Sequence, residues 1–185
     1  MGRALLLVGR PGIGKTTVIQ KVVEILGERA GGFYTEEIRG PRGRAGFRLV
    51  TLDRQSAVMA HVKFRRTGIP RVSRYGVDVG AIDGIGVAAI HGAMQANQVI
   101  VVDEIGKMEL YCERFKDVVM RAIAGPHVVV STVMSRPHAW VDVLKARPEV
   151  TVWQVTVLNR DSLAPQVVRW VDQPSTAANG ISAKV

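Results

Sequence analysis

Gly9-Arg10-Pro11-Gly12-Ile13-Gly14-Lys15-Thr16, with Thr17 behind it, fits the spacing G-x-x-x-x-G-K-[ST]. Glycines at these positions let the backbone curl until successive N–H groups point inward at a polyphosphate. Lys15 supplies positive charge for the β- and γ-phosphates, and the Thr16 hydroxyl is placed to ligate Mg²⁺. A helix starting here adds its positive dipole end to the same oxyanions. The chemistry implied is the binding of a nucleoside triphosphate, with residues 9–17 as the candidate cradle. The plain alternative is a glycine-rich turn that only joins two elements, and the flanking segments argue against it.

A second chemical centre lies near the middle of the chain. Val99-Ile100-Val101-Val102 runs into Asp103-Glu104. A buried strand that ends in an acid puts a carboxylate at the sheet edge where ligands sit in open α/β folds. Asp103 is the candidate to hold Mg²⁺ together with Thr16. Glu104 is placed to polarise a water in line with the γ-phosphate, or else is a surface residue in a strand-to-helix turn. Two adjacent acids here favour hydrolysis over phosphoryl transfer, because a kinase must keep water out.

The elements that position these groups are legible as patterns. Ala4–Val8 is a short apolar run before the loop and reads as a buried strand. Val18, Ile19, Val22, Val23, Ile25 and Leu26 then recur at helical spacing up to Gly27. Strand, glycine-rich loop and helix form the context the motif needs. Residues 32–39 and 45–52 read as a β-hairpin around the turn-rich 40–44, which predicts a mixed sheet. Residues 53–73 are basic and broken by Gly68 and Pro70, and a loop is expected there. Tyr75–Asp78 reads as a short strand, and 82–94 as a helix weakened by Gly84 and Gly86. Further strands are expected at 98–102, 127–131 and 151–157. Helices are expected at 108–123, at 137–146 with Pro137 at its start, and from a cap at Asp161 or Ser162 to Trp170. Residues 1–172 are expected to form one domain, with a frayed tail over 173–185.

Asp103-Glu104-Ile105-Gly106-Lys107-Met108-Glu109-Leu110 resembles the signature of a family of small phosphate-loop nucleoside triphosphatases. That family was first named from thermophiles and includes the human cancer-related nucleoside triphosphatase. Residues 9–16, 32–39, Gly46-Phe47, 75–78 and 159–163 are similar to its other recurring stretches, in the same order, so the likeness runs from the first residues to Trp170. It implies a three-layer α/β fold of the RecA-like additional-strand class, with a mostly parallel sheet. It also implies slow, Mg²⁺-dependent hydrolysis of ATP, GTP and other nucleoside triphosphates to the diphosphate and phosphate. Gly106 and Lys107 would then lie at the phosphates, with Lys107 neutralising charge at the γ-phosphate and Glu109 orienting it. From the residues alone, Lys107 and Glu109 fit equally an exposed pair at a helix start. Ser131-Thr132 departs from the Gly-Thr expected there, with Thr132 kept as a polar sensor of the γ-phosphate. Arg160, Arg39 or Arg48 is the candidate arginine finger.

The 185 residues carry a net charge of +9, and the excess is local. Residues 39–74 hold ten basic side chains and one acid. Such a segment faces phosphates, either of the nucleotide or of a nucleic acid, or else is a solvated arginine-rich face. No apolar run is long enough to cross a membrane, and no secretory pattern opens the chain. A single cysteine, Cys112, read as a packing residue, fits a reducing cytoplasm. A monomer binding a nucleoside triphosphate, with no membrane partner, is expected. His91, His127 and His138 lack metal-ligand spacing, and Trp140, Trp153 and Trp170 occupy apolar positions. Two other functions compete: a small-molecule or nucleotide kinase with 39–74 as its lid, and an ATP-dependent nucleic-acid-binding module.

Overall fold

Three strands in this chain have no polar alternation, and the architecture shows why. β1 (Arg3–Val8), β7 (Val99–Ile105) and β8 (Val128–Val133) lie side by side in one sheet covered on both faces. Ala4 and Leu6 of β1 face one core while Leu5 and Leu7 face the other. Ile100 and Val102 are divided from Val99 and Val101 in the same way, so each strand must be apolar on both sides. Burying one such aliphatic side chain contributes about 1.5–3 kcal/mol.

The computed structural model describes residues 2–41 and 43–174. Its nine-stranded sheet runs β5-β6-β4-β3-β2-β7-β8-β1-β9. β2 (Ala30–Gly40), β7, β8, β1 and β9 (Val150–Gln154) are mutually parallel. β8 therefore separates the strand that feeds the glycine loop from the strand that carries Asp103. This mixed, three-layer α/β sheet agrees with the expected fold. α1 (Lys15–Leu26) and α6 (Leu163–Asp172) cover one face. α3 (Ala88–Gln95), α4 (Glu113–Ala124) and α5 (Ala139–Lys145) cover the other.

The expected hairpin is present as β2 and β3 (Gly43–Thr51), antiparallel from Phe33↔Thr51 to Gly40↔Gly43. The loop expected over 53–73 is in part a strand. β4 (Ser56–His61) pairs with β3, and β6 (Tyr75–Val77) and β5 (Arg71–Val72) continue the sheet outward. Met59 and Ala60 of β4 are fully buried, so tertiary burial outweighs the polar, broken flanks. α2 (Val79–Ala81), capped by the Asp78 carboxylate, passes through a widened π-helical turn at Ile82–Val87 into α3. That turn contains Gly84 and Gly86, the residues expected to weaken the helix.

Smaller differences have local causes. The helix expected at 108–123 is split, because Cys112 is extended between a 3-10 turn at Glu109–Tyr111 and α4. Pro137 stands ahead of α5 rather than inside its first turn, and the residue after it, His138, is extended. Ile25 is half exposed although it shares the spacing of the α1 core residues. Trp140, Trp153 and Trp170 are half-buried at the rims of the cores. The Ser162 hydroxyl donates to the Asn159 carbonyl instead of capping α6. Of the expected frayed tail, Gln173 accepts a bond from the Arg3 guanidinium, and residues 175–185 lie outside the described residues. Among the described residues no helix is long and apolar enough to cross a membrane.

Gly32 is where the two halves of the sheet meet without room for a side chain. Its φ is +112°, and a Cβ there would stand 2.1 Å from the Val101 carbonyl oxygen of β7. Gly32→Ala should destabilise the fold by at least about 2 kcal/mol, through backbone strain plus the clash. Urea unfolding followed by circular dichroism measures it; a midpoint matching the parent would contradict this packing.

Candidate active site

The glycine loop opens α1 in a conformation only glycine adopts cheaply. Gly12 and Gly14 have φ of +77° and +108°, and Gly14 occupies the N-cap position of α1. The turn leaves Lys15 buried, with its Nζ donating to the Gly9 carbonyl at 3.2 Å. The same Nζ lies 3.6 Å from Oε2 of Glu104, at the end of β7. Residues 89 positions apart in the chain thus share one ion pair.

Asp103 is fully buried beside them. Its Oδ1 accepts a 2.5 Å bond from the Thr132 hydroxyl, while its Oδ2 has no partner among the described residues. Burial pushes the Asp103 carboxyl up; the hydroxyls of Thr132 and Thr16, the Thr35 backbone N–H and the Lys15 charge pull it back. The Glu104 carboxyl is also raised, first by burial, against the pull of Lys15 and with a push from Asp103. The Asp103–Glu104 peptide bond is cis.

Glu109 has turned inward. Its Oε2 accepts the Gly106 N–H at 3.1 Å, and burial pushes its carboxyl up to about 8, with the charges of Glu104 and Asp103 adding to the rise. A neutral Glu109 spares the site a third carboxylate charge at close range.

These groups border a cleft of about 650 Å³. Pro11, Gly12, Gly14, Lys15, Thr16 and Thr17 form its floor, and Glu104 and Glu109 its side. The opposite wall is the hairpin, through Thr35, Glu36, Glu37, Arg44 and Phe47, with Gln20 from α1. Of the sequence-derived candidates, Gly9 holds Lys15 from behind. Ile13 packs against the α1 side of the core, with its carbonyl bound by Arg160 at 3.2 Å. Arg10 is exposed and contributes its carbonyl to the Ile13 N–H.

Other assignments differ. Lys107 is exposed on a turn, lies outside the cleft lining and makes no hydrogen bond or ion pair among the described residues. Glu109 cannot orient it while its carboxylate closes on Gly106. Gly106 is buried under that carboxylate rather than lining the cleft. Thr132 is committed to Asp103 and is better described as the group that holds that carboxylate. Neither Arg39 nor Arg48 lines the cleft; Arg44, in an ion pair with Glu37, is the hairpin arginine that does. Sequence reasoning missed the hairpin wall, whose signal was the acids Glu36-Glu37 followed by an arginine-rich turn.

Comparisons with known proteins give the chain's relatives. The family described as NTPase matches residues 4–168. The nucleoside-triphosphatase THEP1 of Thermotoga petrophila is 40% identical over 167 residues, covering 89% of this chain and 90% of that protein. The crystal structure of THEP1 from the hyperthermophile Aquifex aeolicus superposes with a TM-score of 0.83 at 32% identity, over 92% of this chain and 99% of that one. The solution structure of a human cancer-related nucleoside triphosphatase gives 0.78 at 34% identity, over 92% and 97%. With the family model spanning most of its length and these relatives similar over nearly all of it, the chain belongs to the NTPase family.

Proposed function

We propose that this protein hydrolyses nucleoside triphosphates, ATP and GTP among them, to the diphosphate and inorganic phosphate in a Mg²⁺-dependent reaction. The observation that carries the reading is the convergence of Lys15 and Glu104 on one cleft with Asp103 buried behind them. The relatives' description as nucleoside triphosphatases supports it.

Thr16 and Asp103 would hold the metal. The fit rests on Asp103 Oδ2, a buried oxygen with no hydrogen-bond partner among the described residues. One carboxylate and one hydroxyl suit Mg²⁺, which keeps waters and phosphate oxygens as its remaining ligands. Bound there, Mg²⁺ would neutralise charge on the β- and γ-phosphates. Thr132 fixes the rotamer of Asp103 from behind. The main-chain N–H groups of 12–16 and the α1 dipole bind the phosphate oxygens, and Lys15 moves from the Gly9 carbonyl onto them. That shift releases Glu104 from its ion pair and leaves it free to orient, and accept a proton from, the attacking water. Residues 39–74, which a kinase would need as an arginine-bearing lid, are largely built into the sheet, and no observation favours that reading.

A panel of nucleoside triphosphates with and without Mg²⁺, read by phosphate release, tests the reaction. Lys15→Ala should abolish turnover. Glu104→Gln should leave nucleotide affinity within several-fold of the parent while lowering kcat by about 10²–10⁴-fold. Turnover retained in Glu104→Gln would remove Glu104 as the base.

Glu109 gives a separate, pH-dependent outcome. Its carboxyl is raised from 4.5 to about 8 in the folded protein, so the native state binds the extra proton between those values. Its stability contribution is present below that window and is lost as pH rises through it. Thermal unfolding of the parent should therefore shift to lower temperature from pH 5 to pH 8, and Glu109→Gln should flatten the dependence. Identical slopes in the two proteins would contradict the buried, protonated state.

A further inference from the structure

Beyond the nucleotide cleft, the outer part of the sheet carries a second recess of about 620 Å³ with a different chemistry. Arg39, Arg44, Lys63, Arg65, Arg71 and Arg74 line it, and no acidic residue does. They come from the hairpin, from the segment after β4 and from β5 with its turn, so the fold gathers charge that the chain had spread over 36 positions. Among the described residues, only Arg44 of the six is in an ion pair, with Glu37.

The guanidinium groups are held in place without being neutralised. Arg71 donates to the carbonyls of Phe64 at 3.1 Å and Arg74 at 2.9 Å. Arg74 donates to the Arg44 carbonyl at 2.6 Å and stacks on Tyr75 at 5.3 Å. Carbonyls fix the geometry of an arginine and leave its full charge for an anion. Less side-chain entropy then remains to be lost on binding. The His61 ring, which lines the recess, lies 5.8 Å from the ring of Phe64 in a tilted contact and offers a surface for stacking.

From this we infer that the recess binds the phosphodiester backbone of a single-stranded nucleic acid. Five cations without carboxylate partners exceed the needs of a lone nucleotide, and repeating charge along a groove matches a repeating anion. The concave shape suits one strand rather than a flat anionic membrane. The arginines and lysine of the lining are placed to meet phosphates, the part of the chain common to every sequence. Arg44 borders both recesses, which places the strand next to the nucleotide cleft.

Fluorescence anisotropy with labelled oligo(U) and oligo(dT) of about twelve nucleotides tests this on the full chain. With about five phosphates neutralised, affinity should fall by about 100-fold as KCl rises from about 50 to 200 mM. Oligo(U) binding alone assigns the site to RNA, oligo(dT) alone to DNA, and both to the shared backbone; each supports the inference. Lys63→Glu/Arg65→Glu, at exposed positions outside the nucleotide cleft, should lose at least about tenfold in affinity while phosphate release without oligonucleotide and the melting curve stay as in the parent. A Kd weaker than about 100 µM for both oligonucleotides at the lower salt overturns the inference, as does unchanged affinity in the variant. Inorganic polyphosphate that binds where neither oligonucleotide does also overturns it.

Discussion

The cost of burying charge governs how this structure is put together. Asp103 is fully buried and Lys15 nearly so, and neither is tolerated in an apolar interior without compensation. The compensation is assembled from distant parts of the chain: Lys15 against Glu104, Thr132 on one oxygen of Asp103, and Thr16 and Thr35 at the same carboxylate. These groups come from α1, β2, β7 and β8, so the charges are compensated together only when those elements lie in their observed order. Asp103 Oδ2 has no hydrogen-bond partner among the described residues. A buried acceptor left over in an otherwise satisfied network is the property expected of a site that completes itself with a ligand.

β2 transmits that requirement across the molecule. Its first residues pair in parallel with β7, Ala30↔Val99 through Phe33↔Val102, and the rest pairs antiparallel with β3. One strand therefore belongs to the parallel core at one end and to the hairpin at the other. Phe33 sits at the changeover, fully buried with its ring 6.2 Å from Phe115 of α4. Two residues on, Thr35 enters the cleft, followed by Glu36 and Glu37. The far wall of the site is thus positioned by the same backbone that packs against the strand carrying Asp103, and a shift in register would move both.

The sequence conveyed these features unequally, for physical reasons. The glycine loop, the buried strands and the helices α1 and α4 follow from local patterns, because their backbone conformations are dictated by glycine placement and by burial on one or two faces. β4 was not legible. Its pairing with β3 and the burial of Met59 and Ala60 are long-range, and the arginines and breakers around it dominate any local window. The inward turn of Glu109 was equally hidden, since an acid after a strand reads as exposed until the fold supplies the Gly106 N–H that receives it. Thr132 was visible as a polar residue at a strand end, but its partner is set by the β7–β8 register, which no local pattern specifies.

The distribution of charge gives the two recesses opposite characters. Glu36, Glu37, Glu104 and Glu109 line the nucleotide cleft, with Lys15 and Arg44 as its cations, whereas six cations and no acid line the outer groove. An unaccompanied triphosphate entering the cleft would meet Glu36, Glu37 and Glu104 against only two side-chain cations, both already ion-paired, so side-chain charge gives it no net attraction there. On the proposed hydrolytic reading, this is why the nucleotide must arrive with a cation and why burial keeps Glu109 neutral. The outer groove has no such barrier to an anion. The Arg44–Glu37 pair stands on the boundary, with Arg44 facing both recesses and its single carboxylate partner on the cleft side. Arg44 is therefore the one side chain whose charge borders both recesses.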